Sequence, residues 1–143
     1  MAVRQGPPAG GRRFQGPSEE EKERNRIRIG ISKDQQAEID RVFRDSDQLM
    51  QEIRKKFGDL SKQLYALYDN YDFDRAQAQA IRRDLLRLHK RMADIHAENE
   101  EKLRHIMNRE QFERMRAIVR ESMESHRKEW EERRKRGGPT GPQ

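Results

Sequence analysis

Two histidines and a methionine on one helical stretch are the residues of this chain that most resemble metal ligands. His89 and His96 are seven residues apart, with Met92 between them, and such a spacing spans about 10.5 Å along a helix. Metal-binding histidines on one helix are typically four residues apart. We therefore predict no metal site within one chain, and keep these three residues as candidates only where a second subunit adds ligands.

Patterns typical of enzymes and calcium sites are missing from the sequence. The chain has no cysteine, no P-loop, no glycine-rich dinucleotide fingerprint and no HExxH motif. Asp69, Asp72 and Asp74 lie close together, but the twelve-residue calcium loop with its glycine and terminal glutamate is absent. We expect neither catalysis nor a bound cofactor, and we assign these aspartates to a turn and a helix cap.

Basic residues cluster in two stretches that could bind acidic or unfolded polypeptide. Residues 82–91 contain five basic side chains and one acid, and a second basic group with Lys56 occupies residues 54–62. Such a surface attracts acidic partners in a salt-sensitive way. The candidate client-binding cations are Arg54, Lys55, Lys62, Arg82, Arg83, Arg87, Lys90 and Arg91. The alternative is a solvated face whose long side chains cover apolar neighbours.

Apolar residues near these cations strengthen the prediction of a protein-binding surface. Tyr65, Tyr68 and Leu86 lie off the main apolar seam, and Met50 adds an adaptable contact. The alternative is that these side chains close a dimer interface. Aromatics beside arginines can also stack on single-stranded nucleic acid, but no nucleic-acid-binding module is recognisable. We therefore expect protein clients and no nucleic acid.

Composition excludes a thick globular core. The chain has 143 residues, of which 41% are charged and 31% hydrophobic. Alanine, glutamate, lysine, leucine and arginine together make up about 46%, close to the composition of long helices and coiled coils. Residues 1–17 are rich in glycine, proline and arginine, and residues 133–143 read RRKRGGPTGPQ, so we expect disordered tails around a domain at 18–132. No run approaches the roughly 20 apolar residues of a membrane span.

Helix signals divide the central domain into four helices of unequal length. Ser18 begins a short first helix that ends at Gly30, and the second runs from Lys33 to about Asn70. A third follows the aspartate-rich turn, and a fourth follows Asn108. Apolar residues recur at steps of three and four in the two long helices, which predicts an elongated, all-α antiparallel hairpin. Its small core favours a homodimer.

One short phrase opens both the second and the fourth helix. The two copies are Ile31-Ser32-Lys33-Asp34-Gln35 and Met107-Asn108-Arg109-Glu110-Gln111. Each reads apolar residue, cap, any residue, acid, glutamine, which predicts a capping box with an apolar residue before it. Taken singly, each phrase is an ordinary helix start.

Taken together, the two phrases resemble the L-T-x-x-Q motifs of the Spy/CpxP family of periplasmic stress proteins. The resemblance spans about Glu19 to Lys128 and includes the order of short, long, long and final helix. Isoleucine and methionine stand where the family has leucine, and serine and asparagine stand where it has threonine. By this resemblance the motif residues have structural roles; they are Ile31, Ser32, Gln35, Met107, Asn108 and Gln111.

The resemblance implies a cradle-shaped homodimer that is exported to the periplasm. Residues 1–11 contain no apolar stretch typical of a signal peptide, so we expect the signal to have been removed. Family members hold unfolding clients without ATP, restrain an envelope sensor kinase or respond to metals. We predict an ATP-independent periplasmic chaperone. The alternatives are a metal-responsive sensor, an adaptor of a sensor kinase and an inert coiled-coil spacer.

Overall fold

The structure is a computed structural model that describes residues 17–137. These residues contain four α-helices joined by short connections. The helices are α1 (Glu19–Ile29), α2 (Lys33–Tyr68), α3 (Arg75–Ile106) and α4 (Arg109–Arg136). No strand occurs between residues 17 and 137, which confirms the predicted all-α class. Within the same range, no helix has the length and apolar character required to cross a membrane.

The turn between α2 and α3 is set by residues that favour caps over helix interiors. α2 ends at Tyr68, directly before Asp69 and Asn70. The carboxylate of Asp74 then accepts a hydrogen bond of 3.0 Å from the backbone N–H of Gln77, which begins α3. Of the aspartates in this turn, Asp74 is the one that caps α3.

α2 and α3 pack against each other in opposite directions, and we call them the α2–α3 pair. Met50 and Ile53 of α2 form a buried cluster with Ile95 of α3. Ile39, near the start of α2, packs in a second cluster with Leu103, near the end of α3. Because early residues of one helix meet late residues of the other, the pair is antiparallel. The apolar seam predicted from steps of three and four supplies these contacts.

α1 and α4 gather at the end of the α2–α3 pair that lies away from the turn. Ile29 and Ile31, from the α1–α2 connection, are buried with Met107 from the α3–α4 connection. Met115 and Ile118 of α4 pack against the same cluster. The four helix ends are therefore held by one apolar cluster, and the turn between α2 and α3 extends away from it.

The end of α4 differs from the predicted domain boundary. The sequence predicts a disordered tail over residues 133–143, but α4 continues through residues 133–136 to Arg136. Four consecutive basic residues stand in its last turn, where cations interact favourably with the helix dipole. The backbone N–H of Gly137 then bonds to the carbonyl of Arg133 at 2.9 Å. The rest of the predicted tail and residues 1–16 of the predicted arm lie outside the described residues.

Candidate functional site

Both copies of the repeated phrase form complete capping boxes. The Ser32 hydroxyl accepts from the backbone N–H of Gln35 at 3.1 Å, and the Gln35 side-chain oxygen accepts from the backbone N–H of Ser32 at 2.9 Å. Asn108 and Gln111 repeat this exchange at 2.9 and 3.1 Å. The apolar residue before each cap is buried, with Ile31 at 4% exposure and Met107 at 3%. Each motif thus fixes a helix start and places one side chain in the core.

The two capping boxes also bind each other, which sequence reasoning did not predict. The Gln35 amide donates to the carbonyl of Ile106 at 2.8 Å and to the Gln111 side-chain oxygen at 3.0 Å. The Gln111 amide donates to the carbonyl of Gly30 at 2.9 Å. Each glutamine therefore starts its own helix and also caps the helix that precedes the other motif. The two motifs act as one reciprocal clamp, the Gln35–Gln111 clamp.

Arginines reinforce this junction from outside. Arg26 donates to the carbonyl of Ile31 at 3.1 Å and also donates to the Glu23 carboxylate at 2.6 Å. The hydrogen bond between Arg26 and Glu23 lowers the pKa of the Glu23 carboxyl. Arg28 of α1 pairs with Glu121 of α4 at 3.0 Å. The side-chain amides and guanidinium groups named here bond to carbonyls, to carboxylates or to each other. The arrangement is suited to holding helix ends rather than to reacting with a substrate.

The candidate client-binding cations are all exposed, but they differ in their neighbours. Arg87, Lys90 and Arg91 each contact an acid of α3, at 3.4, 2.7 and 3.2 Å respectively. Within residues 17–137, no carboxylate lies within 4.0 Å of the charged atoms of the other five, which are Arg54, Lys55, Lys62, Arg82 and Arg83. These five cations are the least neutralised part of the predicted surface.

Three cations of α3, Arg83, Arg87 and Lys90, lie along one face of the helix. Arg83 and Lys90 each follow a seam residue, Ile81 or Leu88, by two positions. Two positions correspond to about 200° of rotation, so both cations lie on the side of α3 away from α2. Arg87, about 40° from Arg83, also borders a groove between the two helices. Arg82 and Arg91 are nine positions apart, about 180° of rotation, so the predicted belt extends to both sides of this face.

That groove lies across the α2–α3 pair and has a volume of about 420 Å³. Leu60 and Leu88 face it from opposite helices. Its charged border was not predicted beyond Lys56 and Arg87; the complete border consists of Lys56, Asp59, Asp84 and Arg87. The antiparallel seam is the signal that could have predicted the two aspartates. Asp59 lies one position before the seam residue Leu60, and Asp84 lies four positions before Leu88.

Three of the four predicted apolar contacts are exposed, and one is not. Tyr65 is 72% exposed, Leu86 70% and Tyr68 45%, and the Tyr68 ring also packs edge-on against Phe73. Met50 is only 7% exposed, so its prediction as a client contact was wrong. Met50 precedes the buried Ile53 by three positions, which puts both residues on the same side of α2, facing α3.

The predicted metal candidates do not form a ligand cluster in one chain. His89 and His96 are exposed and Met92 is half-buried. No group of three or more histidines and acidic residues within residues 17–137 could hold a metal ion. A site completed by a second subunit stays a prediction.

Comparison of the chain with protein-family models, curated proteins and solved structures gave no match. The resemblance to the Spy/CpxP family therefore depends on the two motifs and the helix order alone. The residues that carry it, from Ile31 to Gln35 and from Met107 to Gln111, are those that form the clamp.

Proposed function

We propose that this chain is an ATP-independent periplasmic chaperone of the Spy/CpxP type, which holds unfolded proteins on its α2–α3 pair. The observation that carries the proposal is the exposure of Tyr65 and Leu86, at 72% and 70%, near cations without carboxylate partners. Burial of apolar surface away from water contributes about 25 cal/mol of favourable free energy per Å². An unfolded client supplies the apolar side chains that bring about this gain.

Binding would begin with charge and end with apolar contact. Arg82 and Arg83 attract acidic segments of a client over roughly the 10 Å Debye length at 0.1 M salt. Tyr65, Leu86 and the groove between Leu60 and Leu88 then offer a few apolar contacts. Because these contacts are few, a client that buries its own apolar residues leaves without nucleotide hydrolysis.

We propose further that two chains form a cradle-shaped homodimer. Among the described residues, no large side chain is less than 2% exposed, and Phe43 and Leu49 of α2 are 43% and 41% exposed. A second α2–α3 pair would cover such side chains and stabilise both chains by mass action. Sedimentation equilibrium should show a dimer. Thermal unfolding should show that the melting temperature rises with chain concentration. A monomer at every accessible concentration would contradict this part of the proposal.

The proposal is tested by aggregation of an unrelated denatured protein. Light scattering of reduced α-lactalbumin, an acidic client, is followed without ATP. We expect the wild-type chain to suppress aggregation and an Arg82→Glu, Arg83→Glu variant to lose most of this activity. Arg41 and Arg44 are also exposed and have no carboxylate within 4.0 Å in the described range, but they lie far from the turn. The Arg41→Glu, Arg44→Glu variant is therefore the matched control and should remain active.

Three outcomes would count against the chaperone. Failure of the wild-type chain against several denatured clients would remove the function itself. Equal loss in both charge-reversed variants would show that only net charge matters, so the site near the turn would be wrong. Suppression that does not weaken as salt is added would contradict the role given to the cations.

A further inference from the structure

α4 contains an eleven-residue repeat. Residues 109–119 read REQFERMRAIV and residues 120–130 read RESMESHRKEW, so both match R-E-x-apolar-E-x-x-R-x-x-apolar. Eleven residues are close to three helical turns, so equivalent positions return to nearly the same face. The repeated apolar positions form one line along α4, which we call the α4 row. It consists of Phe112, Val119, Met123 and Trp130.

The α4 row continues beyond the part of α4 that packs on the core. In the first repeat, Phe112 of the row packs together with Met115 and Ile118 against the apolar cluster that holds the helix ends. The equivalent positions of the second repeat are His126 and Glu129, so the core-facing stripe stops. The α4 row nevertheless persists, with Met123 at 67% and Trp130 at 61% exposure. Core packing therefore does not explain why its second half is apolar.

Arginines border the α4 row along one edge. Each apolar residue of the row follows an arginine by three positions, which puts the arginines about 60° to one side. This arginine edge consists of Arg109, Arg116, Arg120 and Arg127, and Arg134 extends it. Arg116 and Arg127 contact Glu100 at 3.1 Å and Glu131 at 3.7 Å in exposed pairs, which are weak. Within residues 17–137, the other three have no carboxylate within 4.0 Å.

We propose that the α4 row docks an acidic amphipathic helix of a partner protein. The exposed part of the row, from Val119 to Trp130, is one residue wide and about 16 Å long, as expected for the seam between two helices. Its arginine edge is complementary to glutamates or aspartates beside the partner's apolar line. This proposal is independent of the chaperone function, because it concerns α4 and not the α2–α3 pair.

Two other occupants fit the row less well. A second copy packed antiparallel about a twofold axis would bring both arginine edges to the same side, where they repel. A membrane surface favours a broad apolar face, whereas this row is flanked by charged residues within one turn. An acidic amphipathic helix fits the narrow apolar row and also places its carboxylates beside the arginine edge.

Trp130 makes the proposal measurable, because it is the only tryptophan in the chain. The full chain is titrated with a synthetic helical peptide that carries leucines at the row's spacing of 7, 4 and 7 and glutamates along one edge. We expect the emission of Trp130 to shift to shorter wavelength and to saturate. A peptide of the same composition with shuffled leucines should bind at least about tenfold more weakly.

Variants locate the binding on α4. Met123→Glu and Arg120→Glu should each weaken binding about tenfold or more, and their helical content should remain unchanged because both side chains are exposed. Ile27→Glu, at a similarly exposed apolar position on α1 (64%), is the control and should bind as wild type. Equal weakening by Ile27→Glu would overturn the assignment to α4.

Three further results would overturn the proposal. The first is equal binding of the ordered and shuffled peptides. The second is a Trp130 shift that depends on chain concentration alone, which would identify a second copy as the occupant. The third is a shift with phosphatidylglycerol vesicles but not with the acidic peptide, which would identify a lipid surface.

Discussion

At the scale of single residues, the two glutamines of the repeated phrase join the two motifs by hydrogen bonds. Gln35 accepts from its own cap and donates to the end of α3, and Gln111 does the same for α4 and the end of α1. Helix ends leave carbonyl groups without partners inside the helix. The Gln35–Gln111 clamp supplies those partners across the chain, so two distant segments depend on each other for stability.

Removing one side of the clamp should destabilise the protein. Gln35→Ala loses one capping bond and leaves the carbonyl of Ile106 without its donor, so we expect a loss of about 2 kcal/mol in the free energy of unfolding. Gln111→Ala should act similarly. Because the two side chains bond to each other, the double variant should lose less than the sum of the single losses.

Chemical denaturation of the single and double variants measures this coupling. Gln63 is exposed and lies near the end of α2 that is away from both motifs, so Gln63→Ala is the control and should change stability by less than about 0.5 kcal/mol. Strictly additive losses for Gln35→Ala and Gln111→Ala would contradict a reciprocal clamp.

Met50 illustrates why residue type alone could not assign a role. Methionine suits both an adaptable binding surface and a core, and only the packing of α3 against α2 places Met50 beside Ile95. We expect Met50→Ala to lower the free energy of unfolding by about 2 kcal/mol or more. Leu86→Ala should change it by less than about 0.5 kcal/mol but weaken client holding. Thermal unfolding together with the aggregation assay separates the two roles.

At the scale of helices, the starts were predictable and the mutual arrangement less so. Ser18, Ser32 and Asn108 begin their helices as expected, because a capping box depends only on residues three positions apart. The end of α4 was misplaced, since a run of basic residues looks like a tail in sequence but is favourable in a last helical turn. The bonds between the motifs span more than 70 residues and depend on tertiary packing.

Replacing each of two glycines with alanine should change the free energy of unfolding in opposite directions. Gly30 ends α1 with φ at 79°, and a Cβ there would lie 3.1 Å from an Arg114 guanidinium nitrogen, so Gly30→Ala should cost about 1 kcal/mol or more. Gly58 lies inside α2 with nothing within 4 Å of an added Cβ, so Gly58→Ala should stabilise the protein by about 0.5–1 kcal/mol. Thermal denaturation checks both, and equal signs would contradict the left-handed cap at Gly30.

At the scale of the whole molecule, the sequence predicted which charges are present but not the directions in which they lie. The cations of residues 82–91 look like one patch in sequence, yet a helix distributes neighbours around its axis, and Arg82 and Arg91 lie about 180° apart. The α4 row was missed for a related reason. In the sequence, the row and the core-packing residues of α4 form one series of apolar residues, and only the exposure of Met123 and Trp130 separates the two.

The central claim is that unfolded clients contact the exposed surface near the turn of the α2–α3 pair. Its most direct test is site-specific photocrosslinking with a benzophenone side chain at position 65, 86 or 37. Ala37 is exposed at the opposite end of α2 and serves as the control. We predict strong crosslinks to reduced α-lactalbumin from positions 65 and 86 and weak ones from position 37. Equal crosslinking at all three positions, or crosslinks at 65 and 86 only between two copies of the chain, would contradict the account.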